Sequence, residues 1–338
     1  MSGGNGVVAL KPEAAGWLRD GATLVPSAAA VFRVEGAGAI ECLQGVLTSD
    51  VARAGPAGLV YGAMLTPKGM IVVDLWLLRD SEGCTLVLPA LGREAAQELF
   101  ARRLPPRLAR VQELDARVLL LFGARSDTVV EAAGLLLPAA GAVSGAAAEQ
   151  GATRVARAGE AAPWRVMIVG KAKAMEQATA RLQEAGALVG TESHLEAARI
   201  LSGWPALGRE IGEKTLPQEV RYDEIGGVSY TKGCYIGQET VARVHFRGHP
   251  NRMLRGLLWD EATHPPGATV RSGEKEVGAL SSVLEVGTRR YGLALLRREI
   301  APGSIVTIDA GAARVAELPF PLEGLPEEGA GMPEAREP

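Results

Sequence analysis

The sequence predicts an α+β protein with a small all-β module near its C-terminal end. Segments with strand-like and helix-like patterns alternate through the first 250 residues, in an order typical of split-βαβ units. Short strand-like runs separated by glycine and proline follow after residue 251. The chain has 338 residues, which is too many for one small core, so we expect more than one domain.

Apolar periodicity and turn formers define the elements of the first half. Residues 36–47 are predicted as a helix because Ile40, Leu43 and Leu47 recur on one face. A β-hairpin is expected next, because two apolar runs flank the turn formers at 67–69. The predicted strands of this half are 29–35, 59–65, 70–79, 84–88 and 117–122, and its predicted helices are 36–47, 93–104 and 127–136.

The second half begins with residues 137–162, where alanine and glycine dominate and periodicity is weak. We expect a loop or a poorly ordered insertion there. Helix stop and cap signals at Gly186 and Thr191 delimit the two helices that follow. The predicted elements are strand 164–169, helices 172–185 and 191–201, and strands 253–259, 276–284, 290–296 and 304–308.

These elements predict a division into domains. An α+β region spans 7–250 and consists of two interleaved subdomains, approximately 7–110 with 190–250, and 111–189. A β-barrel spans 251–318. The tail at 319–338 is rich in proline, glutamate and glycine, so it is predicted to be disordered.

Composition excludes several classes of protein. Hydrophobic residues make up 47% of the chain, so a core can form. The net charge of −3 argues against a general nucleic-acid-binding surface, although a local contact with tRNA stays open. The three cysteines, Cys42, Cys84 and Cys234, are far apart and form no CxxC pair. We therefore expect neither a disulfide scaffold nor a zinc ion or iron–sulfur cluster held by this chain alone.

The ends and the apolar runs predict a soluble, cytoplasmic protein without a membrane partner. Residues 1–6 have neither a basic segment nor an apolar core, so they do not read as a signal peptide. No apolar run approaches the roughly 20 residues that span a bilayer. A GxG at 36–38 lacks the third glycine of a dinucleotide fingerprint, and we reject a nicotinamide site.

Residues 232–239 (KGCYIGQE) carry the strongest chemical signal. Cys234 lies between Lys232 and a turn bracketed by Gly233 and Gly237. Nearby cations favour the thiolate, which is the form of cysteine that reacts or binds metal. A lone cysteine is most often a small buried apolar residue, but the polar and charged neighbours of Cys234 argue against that role.

Basic residues follow this motif. Lys232, Arg243 and His245 belong to a cluster that also includes Arg247, His249 and Arg252. The cluster fits a clamp for the glutamate tail of a folate or for a phosphate of RNA. A solvated, salt-paired segment between two domains explains it equally well.

Several motifs resemble one known family. They are residues 232–239, 199–205 (RILSGWP), 216–219 (LPQE) and 227–234 (GVSYTKGC), with weaker matches at 43–50 (LQGVLTSD) and 66–74 (TPKGMIVVD). Over residues 31–297 the chain resembles YgfZ-type folate-binding proteins, which are relatives of the glycine-cleavage T-protein and support iron–sulfur enzymes. The resemblance implies two ferredoxin-like α+β domains and a β-barrel around a central channel for tetrahydrofolate.

The resemblance also implies roles for individual residues. Asp74 and Glu219 would bind the folate, since a carboxylate can accept two N–H groups of a pterin at once. Cys234 would be the chemical centre, with Lys232 and Arg243 favouring its thiolate or docking an anion. Arg199, Tyr235, Gln238 and Glu239 complete the set of folate-contacting candidates.

Three functions are consistent with the sequence. The first is a tetrahydrofolate-binding factor that assists assembly or repair of iron–sulfur enzymes, including tRNA-modifying ones, so that these enzymes or assembly proteins are its partners. The second is a folate-dependent aminomethyl- or methyltransferase of the T-protein class. Val73 and Leu201 stand where that class has acids, which argues against it. The third is a non-catalytic module that senses folate, with Cys234 buried and inert.

Overall fold

A computed structural model of the chain describes residues 6–144, 153–260, 262–309 and 311–320. Three sheets and seven α-helices account for most of these residues. Residues 321–338 of the predicted tail, and residues 145–152 of the predicted loop, lie outside the described residues.

Five of the seven helices that the structure describes correspond to predicted helical segments. The seven helices are Pro12–Asp20 (α1), Ala39–Val46 (α2), Arg93–Arg103 (α3), Ser126–Ala132 (α4), Ala172–Glu184 (α5), Glu192–Leu201 (α6) and Gln238–Arg247 (α7), of which α1 and α7 were not predicted. Two short 3₁₀ turns, Ala90–Gly92 and Pro217–Val220, connect other elements. At the start of α6 the amide of Thr191 donates to Nδ1 of His194, which satisfies one of the free donors at that helix end.

The strands are numbered in chain order. They are Val7–Leu10 (β1), Thr23–Ser27 (β2), Ala29–Glu35 (β3), Leu59–Leu65 (β4), Ile71–Arg79 (β5), Gly83–Pro89 (β6), Arg110–Glu113 (β7), Arg117–Phe122 (β8), Ala142–Ser144 (β9), Arg154–Arg157 (β10), Val166–Gly170 (β11), Leu188–Val189 (β12), Arg252–Asp260 (β13), Thr269–Ser272 (β14), Lys275–Val286 (β15), Arg289–Arg297 (β16), Ile305–Ile308 (β17) and Gly311–Ala316 (β18).

The first sheet has the order β4-β5-β6-β3-β7, and it carries the hairpin that positions the site. Helices α2 and α3 cover one face, where Leu43 and Phe100 pack against Val73, Leu75 and other apolar side chains of the sheet. Because side chains alternate along a strand, Asp74, which lies between Val73 and Leu75 on β5, points to the opposite face. That second face is the one that meets the rest of the molecule.

The second sheet has the order β12-β2-β8-β11-β10-β9. Helices α4 and α5 pack on it through Val129, Val130, Met175 and Leu182, which are all buried. A separate apolar cluster, which includes Leu78, Trp164 and Tyr291, joins this sheet to the first sheet and to the third. The three sheets therefore share one interior.

The third sheet closes into a six-stranded barrel. Its order is β15-β14-β17-β18-β13-β16, and β15 also pairs with β16, so the ring has no free edge. Strand β1 adds to β15 in parallel outside this ring. The predicted α+β fold with a barrel near the C-terminal end is confirmed.

Most predicted elements agree with the structure. The elements that were not predicted are α1, α7 and the strands β1, β2, β7, β9, β10, β12, β14 and β18. Residues 137–162 were expected to form a loop, but they include β9 and β10, which pair with each other and extend the second sheet. Helix α7 was not predicted because most of its residues are polar or basic. Its buried face is short and centred on Val241, so the apolar periodicity is weak. The domain boundaries stay a prediction, although β1 and β2 pair with the barrel and the second sheet rather than the first.

Within the described ranges, none of the helices combines the length and the apolarity needed to cross a bilayer.

Candidate functional site

The hairpin of β4 and β5 presents Asp74 on the face opposite α2 and α3. Val73 is fully buried among the side chains of those helices. Asp74 and Trp76 point the other way, and their direct cross-strand neighbours are Ala63 and Tyr61. The acid predicted from the hairpin motif is therefore buried toward the interior that the three sheets share.

Aromatic rings from distant parts of the chain meet on this face. Tyr61 lies 4.6 Å from Trp204 and 5.0 Å from Trp76 between ring centroids. The rings of Trp76 and Trp204 are nearly parallel, at 15° and 5.6 Å. These three residues line a cavity of about 320 Å³, which we call the aromatic cavity. Its size is within the range of small-molecule sites.

The rest of the wall of the aromatic cavity comes from four segments. They are Ser49 and Asp50 after α2, Leu59 and Val60 on β4, residues 225–229 except Gly227, and residues 159–162 except Glu160. An apolar and aromatic wall with a few polar groups is typical of a small-molecule site.

Asp74 lies behind this wall with one oxygen unpaired. The hydroxyl of Tyr61 donates to Oδ2 of Asp74 at 2.9 Å, while Oδ1 is buried and has no hydrogen-bond partner. Burial raises the pKa of Asp74 to about 6, although the bond from Tyr61 acts in the opposite direction. A buried acceptor without a donor is costly, so this oxygen is a candidate contact for a ligand.

Tyr222 extends the group. Its hydroxyl lies 3.1 Å from that of Tyr61. Burial, and then the charge of Asp74, raise the pKa values of both tyrosines well above their usual range. Both phenols therefore keep their protons, and the Tyr61 hydroxyl donates to the carboxylate.

The residues around Cys234 form a turn that packs against the end of α2. We call residues 231–237 the cysteine turn. The amide of Ser229 donates to the carbonyl of Thr48, and the amide of Ile236 donates to that of Gly45. Cys234 itself is exposed. The expectation of an accessible thiol agrees with this position.

The other two thiols are less accessible. Cys84 is buried, and burial raises its pKa to about 12. Cys42 is half-buried, and its pKa is raised by burial and by the charge of Glu41. The described residues contain no group of three or more histidine, cysteine, aspartate or glutamate side chains arranged to hold a metal ion.

Lys232 and Tyr235 are buried on either side of Cys234. Nζ of Lys232 donates to the backbone oxygens of Gln44, Leu47 and Ser49 at 2.6, 2.7 and 2.9 Å. The same nitrogen lies 5.1 Å from the centre of the Tyr235 ring. The Tyr235 hydroxyl is buried without a partner. Lys232 thus uses its three N–H groups on α2 and the segment after it.

Gly237 ends the cysteine turn and begins α7. Its φ is +84°, a conformation that favours glycine. A Cβ at this position would lie 2.6 Å from the carbonyl oxygen of Thr66 and 3.0 Å from Cα of Gly69. The cysteine turn is therefore held against the tip of the β4–β5 hairpin, as well as against α2.

The remaining candidates of the motif lie on α7. Gln238 is half-buried, while Glu239 and Arg243 are exposed. Farther along α7, His245 stacks on Tyr230 at 3.6 Å. His245 therefore has a ring partner that the sequence did not predict.

Glu219 is buried in an ion pair. Its Oε1 accepts from Nε of Arg252 at 3.0 Å, and its Oε2 accepts from Nη2 of Arg252 and from the amide of Leu216 at 3.1 and 3.0 Å. Neither Glu219 nor Asp74 is among the residues that line the aromatic cavity. The two acids differ in their partners, since Glu219 is bonded to Arg252 and Leu216, whereas Asp74 is bonded to Tyr61, which lines the cavity.

Arg199, a folate-contacting candidate of the sequence, is also buried, and it is not among the residues that line the aromatic cavity. Its guanidinium donates to Glu196, to Glu210 and to the hydroxyl of Ser282 on β15. Ser282 in turn donates to Glu210, which is fully buried. This network fixes α6 to the barrel.

Sequence reasoning missed Tyr61, Trp204, Tyr222 and Glu210. The first and third are 161 positions apart, so no local pattern connects them. The only available signal was the motif at 199–205, which includes Trp204. Position in the fold, rather than spacing, brings these residues to Asp74.

Comparisons with known proteins agree with this architecture. No family model matches the chain. It is 26% identical over 303 residues to the tRNA-modifying protein YgfZ of Escherichia coli (strain SMS-3-5 / SECEC), and 25% identical over 304 residues to that of Sodalis glossinidius (strain morsitans). Each alignment covers 87% of this chain and 91% of the relative.

A solved structure shows the same fold. The crystal structure of glycine cleavage system aminomethyltransferase T from Bartonella henselae matches with a TM-score of 0.76 at 22% identity, over 91% of this chain and 88% of that one. The chain therefore has the same fold as this aminomethyltransferase. The resemblance to YgfZ-type proteins is confirmed, since the chain is a distant homologue of the proteins named tRNA-modifying protein YgfZ.

Proposed function

We propose that this protein binds tetrahydrofolate and assists the assembly or repair of iron–sulfur enzymes, including enzymes that modify tRNA. The observation that carries the folate part is the unpaired Oδ1 of Asp74 behind the aromatic cavity. Similarity to the tRNA-modifying YgfZ proteins over 87% of the chain supports the cellular role.

The residues present fit a reduced pterin. Its ring is flat, and its edge has adjacent N–H groups. Trp76 and Trp204 line the cavity, and Asp74 behind it has a buried acceptor oxygen without a partner. Stacking on an aromatic face and a hydrogen bond to a carboxylate are the two contacts that such an edge and face need. Tetrahydrofolate would either supply one-carbon chemistry or act only as a signal through its binding.

Glu219 is assigned a lesser part in this proposal. Three N–H donors already occupy its two oxygens. A carboxylate has about four lone-pair positions, so one is left for a ligand. We expect Asp74 to carry most of the affinity for the pterin.

Cys234 is the proposed point of contact with client proteins. Its thiol is exposed, whereas the other two are buried or half-buried. Because an iron–sulfur cluster is usually held by four cysteines, a cluster bound at Cys234 would need ligands from another molecule. The proposal therefore gives Cys234 a role in a complex.

The T-protein reaction is less well supported. The second acid of the T-protein hairpin would stand at Val73, and that side chain lies in the apolar core under α2 and α3. A carboxylate there would be buried without a partner, at high cost. This position therefore offers no second acid to the aromatic cavity.

Anaerobic titration calorimetry with tetrahydrofolate tests the proposal. We expect saturable binding by the wild-type protein, a loss of at least about tenfold in affinity for Asp74→Ala, and an unchanged affinity for Cys234→Ala. Asp223→Ala is a matched control, because Asp223 is a half-exposed acid outside the aromatic cavity. An absence of binding in the wild-type protein would overturn the folate assignment.

The cellular role needs a separate experiment. In cells that lack the protein, we expect an iron–sulfur-dependent tRNA modification to fall and to be restored by the wild-type chain but not by Cys234→Ala. Turnover with an aminomethyl donor and tetrahydrofolate should be absent. Restoration by Cys234→Ala would contradict the role of the thiol, and measurable turnover would favour the transferase.

A further inference from the structure

Lys232 connects the cysteine turn to the end of α2. Its side chain is buried, and its ammonium group donates to three backbone oxygens within the seven residues from Gln44 to Asp50. Carbonyl groups at the C-terminal end of a helix have no intrahelical partner, and they attract a cation. This contact therefore fixes the start of the cysteine turn at one place.

The segment that Lys232 holds is also a wall of the aromatic cavity. Ser49 lines the cavity, and its hydroxyl donates to the backbone oxygens of Tyr61 and, at 3.1 Å, of Gly227. The hydroxyl of Thr48 donates to the same Gly227 oxygen at 2.6 Å. Ser49 is thus bonded both to Tyr61 in the wall of the aromatic cavity and to Lys232, and Thr48 adds a bond to Gly227 beside it.

Main-chain hydrogen bonds reinforce this connection at both ends. The amide of Ser229, which also lines the cavity, bonds to Thr48. Beyond Cys234, the amide of Ile236 bonds to Gly45. Residues 44–50 therefore lie between the cavity on one side and the cysteine turn on the other.

We propose that Lys232 is a positioning residue that couples occupation of the aromatic cavity to the accessibility of the Cys234 thiol. The proposal rests on the proposed function, because it takes tetrahydrofolate as the ligand of the cavity. A ligand that fixes Ser49 also fixes the acceptor of Lys232, and the cysteine turn is held more firmly. Such coupling requires that the ligand bind the ordered arrangement better than the loosened one.

The environment of Lys232 agrees with this role. Burial lowers its pKa to about 8, and the charge of Asp50 offsets this effect in part. Its ammonium has given up water and depends on the three carbonyl groups for its hydrogen bonds. A loss of any of these acceptors weakens the attachment of the cysteine turn.

The test measures alkylation of Cys234 by iodoacetamide, quantified on its own peptide by mass spectrometry, with and without saturating tetrahydrofolate under anaerobic conditions. In the wild-type protein we expect the ligand to slow alkylation by about fivefold, the lower end of typical coupling between sites. In Lys232→Met the thiol should react faster without ligand, and the ligand should no longer change the rate. Calorimetric affinity for tetrahydrofolate should fall by only about fivefold, since the aromatic cavity itself is intact.

Two further variants make the result specific. Lys68→Met removes an exposed lysine on the neighbouring hairpin and should behave like the wild-type protein. Ser49→Ala keeps Lys232 but removes the hydroxyl contacts to the cavity wall, and it should lose most of the ligand effect. If Lys232→Met does not fold, as judged by circular dichroism, Ser49→Ala carries the test.

Three outcomes would overturn the proposal. The first is that the alkylation rate of Cys234 in the wild-type protein does not change when tetrahydrofolate binds, with binding verified by calorimetry. The second is a full ligand effect in folded Lys232→Met, which would mean that the ligand shields Cys234 directly. The third is an unliganded Lys232→Met that reacts at the wild-type rate. If calorimetry finds no binding, the proposed function fails, and the third comparison still decides whether Lys232 positions the turn.

Discussion

The hydroxyl of Tyr61 donates a 2.9 Å hydrogen bond to Oδ2 of Asp74, from the strand that pairs with the strand of that acid. The second oxygen of Asp74 has no partner. The buried carboxyl group therefore has a side-chain hydrogen bond on one side only. Its burial raises its pKa to about 6, so its ionisation makes stability depend on pH.

The first prediction concerns pH and Asp74. Burial raises the pKa of Asp74 in the folded protein from 3.8 to about 6. Its ionisation therefore opposes folding, and stability is lost as pH rises from about 4 to above 6. Asp74→Asn cannot ionise. Relative to the wild-type protein, the unfolding free energy of Asp74→Asn should increase by roughly 2–3 kcal/mol between pH 4 and pH 7.5.

Urea unfolding of both proteins across this pH range measures the difference. The test is how the difference in unfolding free energy between the two proteins changes with pH. Burial of the asparagine amide also lowers the stability of Asp74→Asn, but by an amount that does not depend on pH. A difference between the two proteins that stays flat would contradict the raised pKa of Asp74.

The second prediction concerns the Tyr61 hydroxyl. Tyr61→Phe removes the donor that favours the ionised form of Asp74, so the pKa of Asp74 should rise further. We expect a loss of about 1–3 kcal/mol in unfolding free energy at pH 8, and a smaller loss at pH 5, where the acid is mostly protonated. The matched control is Tyr235→Phe, because that hydroxyl is buried without a partner and its removal should be nearly neutral. Equal losses at the two pH values would argue against the bond to Asp74.

The sequence predicts Asp74 but not its surroundings. The hairpin follows from two apolar runs around a turn, and alternation along β5 places Asp74 opposite Val73. Tyr222, by contrast, reaches Tyr61 from a segment 161 positions away. The pairing depends on the docking of residues 204–235 onto the hairpin, which is a tertiary event without a local pattern.

Other differences have the same origin. Strands β9 and β10 consist largely of small and polar residues, and they are strands because the second sheet offers an edge to pair with. Helix α7 begins after a glycine with positive φ, a signal that usually marks the end of a helix. The resemblance to a known family identified the two candidate acids. Only the structure shows that Arg252 donates hydrogen bonds to both carboxylate oxygens of Glu219.

The third prediction separates Glu219 from Asp74. In Glu219→Gln an amide NH₂ replaces one carboxylate oxygen. This NH₂ group is a donor, so it faces an N–H group of Arg252 or Leu216 from which the oxygen accepted a hydrogen bond. We expect a loss of about 1–2 kcal/mol in unfolding free energy, reduced by the partial exposure of Arg252. The affinity for tetrahydrofolate should fall less than in Asp74→Asn. Glu131→Gln, an exposed acid on α4, is the control.

Calorimetry and urea unfolding on the same samples decide this case. If Glu219→Gln keeps its stability but loses folate binding, Glu219 contacts the ligand directly, as the sequence motif implies. If Glu219→Gln loses both stability and folate affinity, and its loss of affinity is larger than that of Asp74→Asn, Glu219 rather than Asp74 carries most of the affinity for the pterin.

The last prediction uses the two glycines of the cysteine turn as a matched pair. Gly237 has a φ of +84°, and an added Cβ would lie 2.6 Å from the backbone oxygen of Thr66. Gly233 has nothing within 4 Å of the corresponding position. Gly237→Ala should therefore lose about 1–3 kcal/mol in unfolding free energy and alter the alkylation rate of Cys234, because the turn must move away from the hairpin.

Gly233→Ala removes the same kind of residue from the same turn without a steric conflict, so its unfolding free energy should stay within about 0.5 kcal/mol of the wild-type value. Its Cys234 should react at the wild-type rate. Since Gly237 packs on Gly69 at the hairpin tip, Gly69→Ala should resemble Gly237→Ala, as its φ of +86° and a 3.0 Å approach to Thr240 impose a similar strain. Equal behaviour of the Gly233 and Gly237 variants would show that contact with the hairpin does not determine where Cys234 lies.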